Sequence, residues 1–141
     1  MYDKGDGNFI VFGGFVNGSR VDEVIQFEPT TVSVKGELLA GGNTGNCGPC
    51  VRASHSSVVH NDKLYIFGGQ DDDNNKLDDL WIFDLGSKSW NEIAPDASGF
   101  KPIARSGHTA VVWGQKMYIF GGILELTKEL NDMVIFDFSS G

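Results

Sequence analysis

The chain has 141 residues, with 19 glycines, 4 prolines and 2 cysteines, and its 11 basic and 19 acidic side chains give a formal net charge of -8. This length predicts one domain, and the acidic balance, with no cluster of Lys and Arg, argues against nucleic acid as a partner. We expect a cytoplasmic protein, since no apolar run nears the ~18 residues of a membrane span, no signal-peptide core follows Met1, and the cysteines are too few for a secreted disulfide framework.

The first third of the chain predicts short β-strands. One apolar run ends at Phe12-Gly13-Gly14, and a second run extends from Val24 through Phe27. Val34 follows Phe27 by seven residues. Short apolar runs that are bounded by turn residues are typical of strands in an all-β fold.

The middle third repeats this pattern in a fuller form. Arg52-Ala53-Ser54-His55 precedes an apolar run that ends at Gly68-Gly69, and Leu80-Trp81-Ile82-Phe83-Asp84 and then Trp90 follow. These runs are apolar at successive positions and do not alternate, which predicts strands buried on both faces. The pair Asn61-Asp62 fits a tight turn between two of the strands.

The last third contains the pattern again. Arg105-Ser106-Gly107-His108, then Gly121-Gly122, then Met133-Val134-Ile135-Phe136-Asp137 match the middle copy. The first glycines of the three pairs are 55 and 53 residues apart, and a period in this range is typical of repeat architectures. The glycine pairs are expected to allow positive φ or a close approach of backbone where a strand leaves its sheet.

This order of motifs resembles the kelch repeat over essentially the whole chain. The resemblance implies an all-β fold, a partial β-propeller of kelch-type four-stranded antiparallel blades. Each blade has strands a to d, placed in the middle copy near 54–60, 63–69, 79–84 and 89–93. We predict an incomplete first blade over 1–46, a complete blade over 47–99 and an incomplete third blade over 100–141. The recurring residues are expected to be structural, namely Gly13, Gly14, Arg52, His55, Gly68, Gly69, Trp90, Arg105, His108, Gly121 and Gly122.

The strand count predicts a fragment of a larger propeller. Ten strands are expected, three in the first and last copies and four in the middle, whereas even about four blades need roughly 16. Joining strands of two chains head to tail does not produce a proper blade. The missing blades of a parent propeller are therefore expected partners, and exposed blade faces predict poor solubility or unspecific association.

The segment Cys47-Gly48-Pro49-Cys50 resembles the redox motif of thioredoxins. No helix is predicted after it, and Pro49 precedes Arg52 by three residues as Pro102 precedes Arg105. The proline therefore belongs to the repeat pattern. A loop disulfide or a metal-binding cysteine pair remains an alternative, although two cysteines cannot complete a tetrahedral zinc site.

No catalytic residue, metal or cofactor is predicted. The acidic run at Asp71, Asp72 and Asp73 could attract calcium, but it lacks the spacing, glycine and distal glutamate of an EF-hand loop. His55 and His108 recur with the repeat, which favours packing over acid–base chemistry, and Arg52 and Arg105 are expected to brace backbone. His60 aligns with Trp113 at a turn, so no chemistry is assigned to it.

Alternation of strand direction predicts that the long b–c and d–a loops, near 15–22, 70–78, 123–131, 41–51 and 94–104, share one rim. Variable loops on a rigid scaffold favour recognition, so the chain is expected to be an interaction scaffold or adaptor for a protein of basic or mixed charge. The alternative is a fragment of a kelch-type enzyme resembling oxidases, mutarotases or specifier proteins. The candidate contacts are Arg20, Asp71, Asp72, Asp73, Lys76, Phe100, Lys101, Glu125, Lys128 and Glu129.

Overall fold

The computed structural model describes residues 2–3, 7–30, 33–41, 48–94 and 99–139, with backbone alone for 2–3. Across these residues there are thirteen strands and no helix, which confirms the all-β prediction. The first sheet consists of β1 (Tyr2–Asp3), β2 (Phe9–Val16), β3 (Ser19–Pro29) and β4 (Val34–Ala40). The second consists of β5 (Ser56–His60), β6 (Lys63–Phe67), β7 (Leu80–Asp84) and β8 (Ser89–Ile93). The third region contains β9 (Thr109–Trp113), β10 (Lys116–Phe120), β11 (Ile123–Glu125), β12 (Lys128–Glu129) and β13 (Met133–Asp137).

Three antiparallel sheets correspond to the three copies of the repeat. The first two follow chain order, β1-β2-β3-β4 and β5-β6-β7-β8, and the third has the order β13-β10-β9. Strands β11 and β12 form a separate hairpin. The architecture is a partial β-propeller of kelch type, as predicted, whereas the blade boundaries at residues 47 and 100 stay a prediction.

The first sheet differs from its prediction in two ways. It has four strands and not three, because Tyr2 and Asp3 pair with Ile10 and Phe9. The expected loop over 15–22 is instead a hairpin that extends both strands past the glycine pair. Asn17 and Gly18, at φ of 50° and 86°, supply the left-handed turn that a two-residue hairpin needs.

Two hydrophobic cores separate the sheets. The first joins Ile10, Phe12, Val24 and Ala40 to Val59, Leu64, Ile66 and Phe83. The second joins Val58, Tyr65, Phe67 and Leu80 to Phe100, Met117, Ile119 and Phe136. Successive residues of β6 thus point into different cores, which confirms that the middle sheet is buried on both faces. Trp90 packs against the first core, 4.9 Å from the Phe83 ring between centroids.

The glycine pairs lock neighbouring sheets together. Gly68 and Gly69 have φ of 62° and 94°. The Gly69 amide donates to the Arg105 carbonyl at 2.9 Å, and the Gly14 amide makes the same contact with Arg52 at 3.1 Å. A Cβ at Gly69 would stand 2.8 Å from the Ala53 carbonyl oxygen. Both predicted reasons for glycine therefore apply at this position.

The turns between strands separate onto two rims, as the alternation of strand direction requires. The Leu85 amide donates to the Asp62 carbonyl at 3.0 Å, which joins the β7–β8 turn to the β5–β6 turn. The Phe138 amide makes the equivalent bond to the Gln115 carbonyl in the third sheet. The segments after the glycine pairs consequently lie on the opposite rim, called the loop rim below.

Candidate partner-binding rim

Two fully buried arginines support the loop rim from below. Arg52 places both terminal nitrogens on the Asp79 carboxylate, at 2.6 and 2.7 Å, and also donates to the Gly68 carbonyl at 3.0 Å. Arg105 repeats the arrangement with Asp132 at 2.7 and 2.8 Å. A bidentate pair satisfies several guanidinium donors at once. The bracing of backbone was expected, but the carboxylate partners were not.

A sequence signal for these carboxylates exists. Each aspartate follows its arginine by 27 residues, within the motif that precedes the third strand of its copy. Burial alone lowers the pKa of Arg52, but its hydrogen bonds and charge contact with Asp79 raise that pKa above the ordinary value. The hydrogen bond from Arg105 lowers the pKa of Asp132. These ion pairs hold the strand ends in place.

The repeat histidines lie between sheets. Burial, reinforced by the nearby cations of Arg52 and Arg105, lowers the pKa of His55 and of His108 to about 4 each. The Nε2 atom of His108 is 2.8 Å from the Ser56 hydroxyl oxygen. The His55 ring meets Phe12 edge-on at 5.2 Å. Both rings are neutral at pH 7 and pack against aromatic residues of the preceding sheet.

The cysteine motif follows the repeat geometry where it is described. Pro49 is buried, and the Cys50 carbonyl accepts a hydrogen bond from Arg52 Nε at 3.2 Å, as the Ile103 carbonyl does from Arg105 at 3.0 Å. A Cβ on Gly48 would lie 2.6 Å from the Trp90 indole, so this glycine fits the ring closely. Cys50 is an exposed free thiol on a loop. Cys47 lies outside the described residues.

The acidic run folds back on its own backbone. The Asp71 carboxylate accepts from the amides of Asp73 and Asn75 at 3.0 and 2.9 Å, and from the Asn75 side chain at 3.0 Å. The Asn75 side-chain bond is the main cause that lowers the pKa of Asp71. No group of three or more His, Cys, Asp or Glu side chains that could hold a metal occurs in the described residues. Asp71 therefore gives the 70–76 segment a defined shape.

The first two sheets meet on the loop rim through Arg20. Its guanidinium donates to the Asn74 side-chain oxygen at 2.9 Å and lies 3.5 Å from an Asp72 oxygen. It also lies 5.7 Å from the centre of the Phe15 ring, which is 63% exposed. The structure thus brings Arg20 and Asp72 together, two residues that the sequence placed on separate loops.

A cleft of about 840 Å³ lies between the second and third sheets on this rim. One wall is the 70–76 segment, where Lys76 Nζ donates to Gln70 Oε1 at 2.5 Å. The other wall is the β11–β12 hairpin, which carries Glu125 and the fully exposed Leu126. The lining residues are Gln70, Asn74, Asn75, Lys76, Ala104, Leu124, Glu125 and Leu126. Two of the predicted contact residues, the charged Lys76 and Glu125, thus line the same cleft.

The other candidate contacts have separate places. Lys128 and Glu129 lie exposed on strand β12, Asp73 is exposed near the tip of the 70–76 segment, and Lys101 is exposed beside the third sheet. Phe100 is 8% exposed and packs against Phe67 and Phe136 in the second core, so its side chain is unavailable to a partner.

The amides and leucines of the cleft were missed by the sequence reasoning. They are ordinary loop residues, and only their flanking positions beside Asp71 to Asp73 and beside Glu125 pointed to them. Within the described part of the chain, no helix has the length and hydropathy needed to cross a membrane.

Comparison with known proteins agrees with this geometry. Residues 4–141 match the profile of the KLHDC2/KLHL20/DRC7 Kelch-repeats domain. The chain is 32% identical to bovine Kelch domain-containing protein 3 over 123 residues, 82% of this chain and 32% of that protein. It is 45% identical to human Host cell factor 2 over 80 residues, 52% of this chain and 10% of that protein. Human Host cell factor 1 is 39% identical over 87 residues, 57% of this chain and 4% of that protein. The chain thus corresponds to a minor part of these relatives.

Proposed function

The chain belongs to the kelch-repeat family, and from this premise we propose that it is a protein-interaction module whose loop rim binds an extended segment of a partner protein. The observation that carries the proposal is the cleft between the 70–76 segment and the β11–β12 hairpin. A concave site with a few fixed polar groups and an apolar portion is the usual form of a recognition site.

The chemistry of the cleft suits a peptide. Gln70, Asn74 and Asn75 offer side-chain amides, which both donate and accept hydrogen bonds as a peptide backbone does. Leu124 and Leu126 offer apolar surface at the other wall. Internal bonds of Asp71 and Gln70 hold the first wall in shape, so less conformational entropy is lost on binding.

The charge around the cleft favours a partner of basic or mixed charge. Arg20 is already engaged by Asn74 and Asp72, whereas Asp73, Glu125 and Glu129 are exposed. Lys76, Lys101 and Lys128 add positive positions. Such a surface discriminates against uniformly acidic segments mainly through the association rate.

Binding can be tested with a library of random twelve-residue peptides displayed on phage. We expect selected peptides to bind the wild-type chain and to lose roughly tenfold in affinity with Leu126→Ala, because about 1.4 kcal/mol of apolar contact is removed. Fluorescence polarisation of a labelled peptide gives the Kd. Glu125→Lys should lower the affinity for peptides that carry Lys or Arg and raise the affinity for acidic peptides.

Val34→Ala is the matched control, since Val34 is also an exposed apolar side chain but begins β4 on the opposite rim. The proposal would be contradicted if the selected peptides bound Leu126→Ala with unchanged affinity but lost affinity for Val34→Ala. Recognition would then occur on the rim opposite the loop rim. Failure to select any binding peptide would also contradict the proposal.

The arrangement of the repeat histidines does not favour the enzyme alternative. His55 and His108 pack between sheets, and neither lines the cleft. We therefore put forward the interaction module alone.

A further inference from the structure

The β2–β3 hairpin carries a large apolar side chain onto the loop rim. Both strands continue past the glycine pair, so that Phe15 pairs with Arg20 and Val16 pairs with Ser19 near the tip. The Phe15 side chain is 63% exposed and belongs to neither hydrophobic core. The packing of the sheets therefore does not account for an aromatic ring at this position.

Phe15 lies on the side of its hairpin that faces the second sheet. Residues paired across two antiparallel strands point to the same side. Its pair, Arg20, donates to Asn74 Oδ1 at 2.9 Å, lies 3.5 Å from an Asp72 oxygen and has its guanidinium 5.7 Å from the centre of the Phe15 ring. The exposure of this ring therefore does not depend on what packs on the outer faces of the first or third sheet.

A second apolar side chain lies across the 70–76 segment. Leu126, at the tip of the β11–β12 hairpin, is fully exposed and lines the cleft together with Asn74. Asn74 is also the residue whose side chain accepts from Arg20. One path of contacts thus runs from Phe15 through Arg20 and Asn74 to the cleft that Leu126 borders.

The surface between the two apolar side chains is polar and mainly acidic. Asp72 and Asp73 are exposed, and the exposed amides of Asn74 and Asn75 follow them in the chain. Bonds to the Asp71 carboxylate hold this segment in one shape. A partner segment that crosses it needs polar or basic side chains, because acidic ones would meet like charge.

The separation of the sheets sets the length of such a partner segment. Packed sheets lie ~10 Å apart, so the first and third sheets are separated by roughly 20 Å. An extended chain advances ~3.3 Å per residue and therefore needs about six residues to cover this distance. Side chains separated by an even number of residues share one face of an extended chain, so both can point at the rim.

We propose that the partner is an extended segment with two apolar side chains about six residues apart, one packed on Phe15 and the other on Leu126, and with polar or basic side chains between them. This inference rests on the proposed function and extends its site from the cleft to the first sheet. Residues 70–76 lie under the middle of the segment, and Arg20 fixes the β2–β3 hairpin relative to them.

The peptides selected against the whole chain from the twelve-residue library test the first anchor. Phe15→Ala should lower their affinity about tenfold, because the apolar contact is lost, and Phe15→Leu should restore most of it. Val16→Ala should have no effect, since Val16 is 50% exposed but points to the other side of the same hairpin. Fluorescence polarisation gives each Kd, and circular dichroism checks that each variant is folded.

Changes in the peptide locate its two anchors. Replacing one apolar peptide residue by alanine should weaken binding to the wild-type chain and have little further effect on Phe15→Ala, and replacing the other should behave in the same way toward Leu126→Ala. One glycine inserted between the two should lower the affinity at least tenfold, because it turns the anchors to opposite faces of an extended segment. The same glycine added outside the anchors should change nothing.

The outcomes separate this inference from the proposed function. Peptides that respond to Leu126→Ala but not to Phe15→Ala would overturn the two-anchor site and leave binding in the cleft intact. Peptides that tolerate the inserted glycine would overturn the extended conformation. Peptides that respond to neither Leu126→Ala nor Phe15→Ala would contradict both proposals.

Discussion

Asp79 and Asp132 are the residues on which the buried arginines depend. Each carboxylate receives two hydrogen bonds from a guanidinium that is fully shielded from water. Removal of the negative charge leaves a buried cation without its counterion, which costs far more than the loss of a surface ion pair. The arginine also holds the carbonyl of the first glycine in its pair, so damage should spread to the strand end.

We expect Asp79→Asn to lower the free energy of unfolding by about 3 kcal/mol. Urea denaturation followed by tryptophan fluorescence gives the value. Asp78→Asn is the control, because Asp78 is the adjacent exposed carboxylate and should change stability by less than about 0.5 kcal/mol. Equal effects of the two substitutions would show that the Arg52 pair contributes little.

His55 and His108 should make stability depend on pH. Their pKa of about 4 in the folded chain lies below the ordinary 6.5, so the unfolded chain binds more protons between these values. Stability therefore falls as pH drops from about 6.5 to 4, and below pH 4 this contribution changes no further. Carboxylates with a lowered pKa, such as Asp132, also stabilise the folded chain, and this contribution is lost at lower pH as they become protonated.

The variant His108→Gln should flatten this dependence. We expect the difference in unfolding free energy between pH 7 and pH 5 to shrink by about half relative to the wild-type chain, because one of two buried histidines is gone. His60→Gln is the control, since His60 stacks on Phe138 near the surface of the opposite rim. A pH profile that His108→Gln leaves unaltered would contradict the assignment.

At the scale of elements, the glycine pair decides how a strand leaves its sheet and meets the next. Gly69 combines a left-handed φ of 94° with a Cβ position 2.8 Å from the Ala53 carbonyl oxygen and 2.8 Å from His55 Cβ. Both the strain and the clash would displace the backbone of residues 53–55 or of Gly69 itself. The bond from Gly69 to the Arg105 carbonyl would then lengthen.

Gly69→Ala should therefore destabilise the chain by roughly 3 kcal/mol. This loss is the sum of the strain of a positive φ and of the steric clash between the new methyl group and the backbone. Gly114→Ala isolates the strain, because Gly114 has a φ of 60° but no atom within 4 Å of the place that an alanine methyl group would occupy. We expect about 1 kcal/mol there, measured by the same urea titration. A similar loss at both positions would mean that the close approach at Gly69 is relieved without cost.

The positions of the central strands were predictable from the glycine pairs and the apolar runs, because each run is long enough for one short strand. The hairpins were harder. Residues 15–22 and 123–131 were expected to be loops, yet both contain paired strands. Whether a polar segment continues a ladder depends on the facing backbone groups, which sequence patterns of a few residues do not specify.

At the scale of the whole molecule, the loop rim and the sheet faces are separate surfaces. The rim is polar with a few exposed apolar side chains, whereas the face of the third sheet that bears Val111, Phe120 and Met133 is mainly apolar. Variants of one surface should therefore leave the other intact.

Sequence patterns were enough to establish the all-β class, the three copies of the repeat and the buried middle sheet, because periodic glycines and unbroken apolar runs report local geometry and burial. They also predicted a structural role for Arg52, His55 and their equivalents, which stays a prediction. The stacking of the sheets was needed to show that Asp79 and Asp132 neutralise the arginines, that Phe100 enters a core, and that Lys76 and Glu125 face one cleft. Such contacts join residues far apart in the chain, and their distances follow from how whole sheets stack.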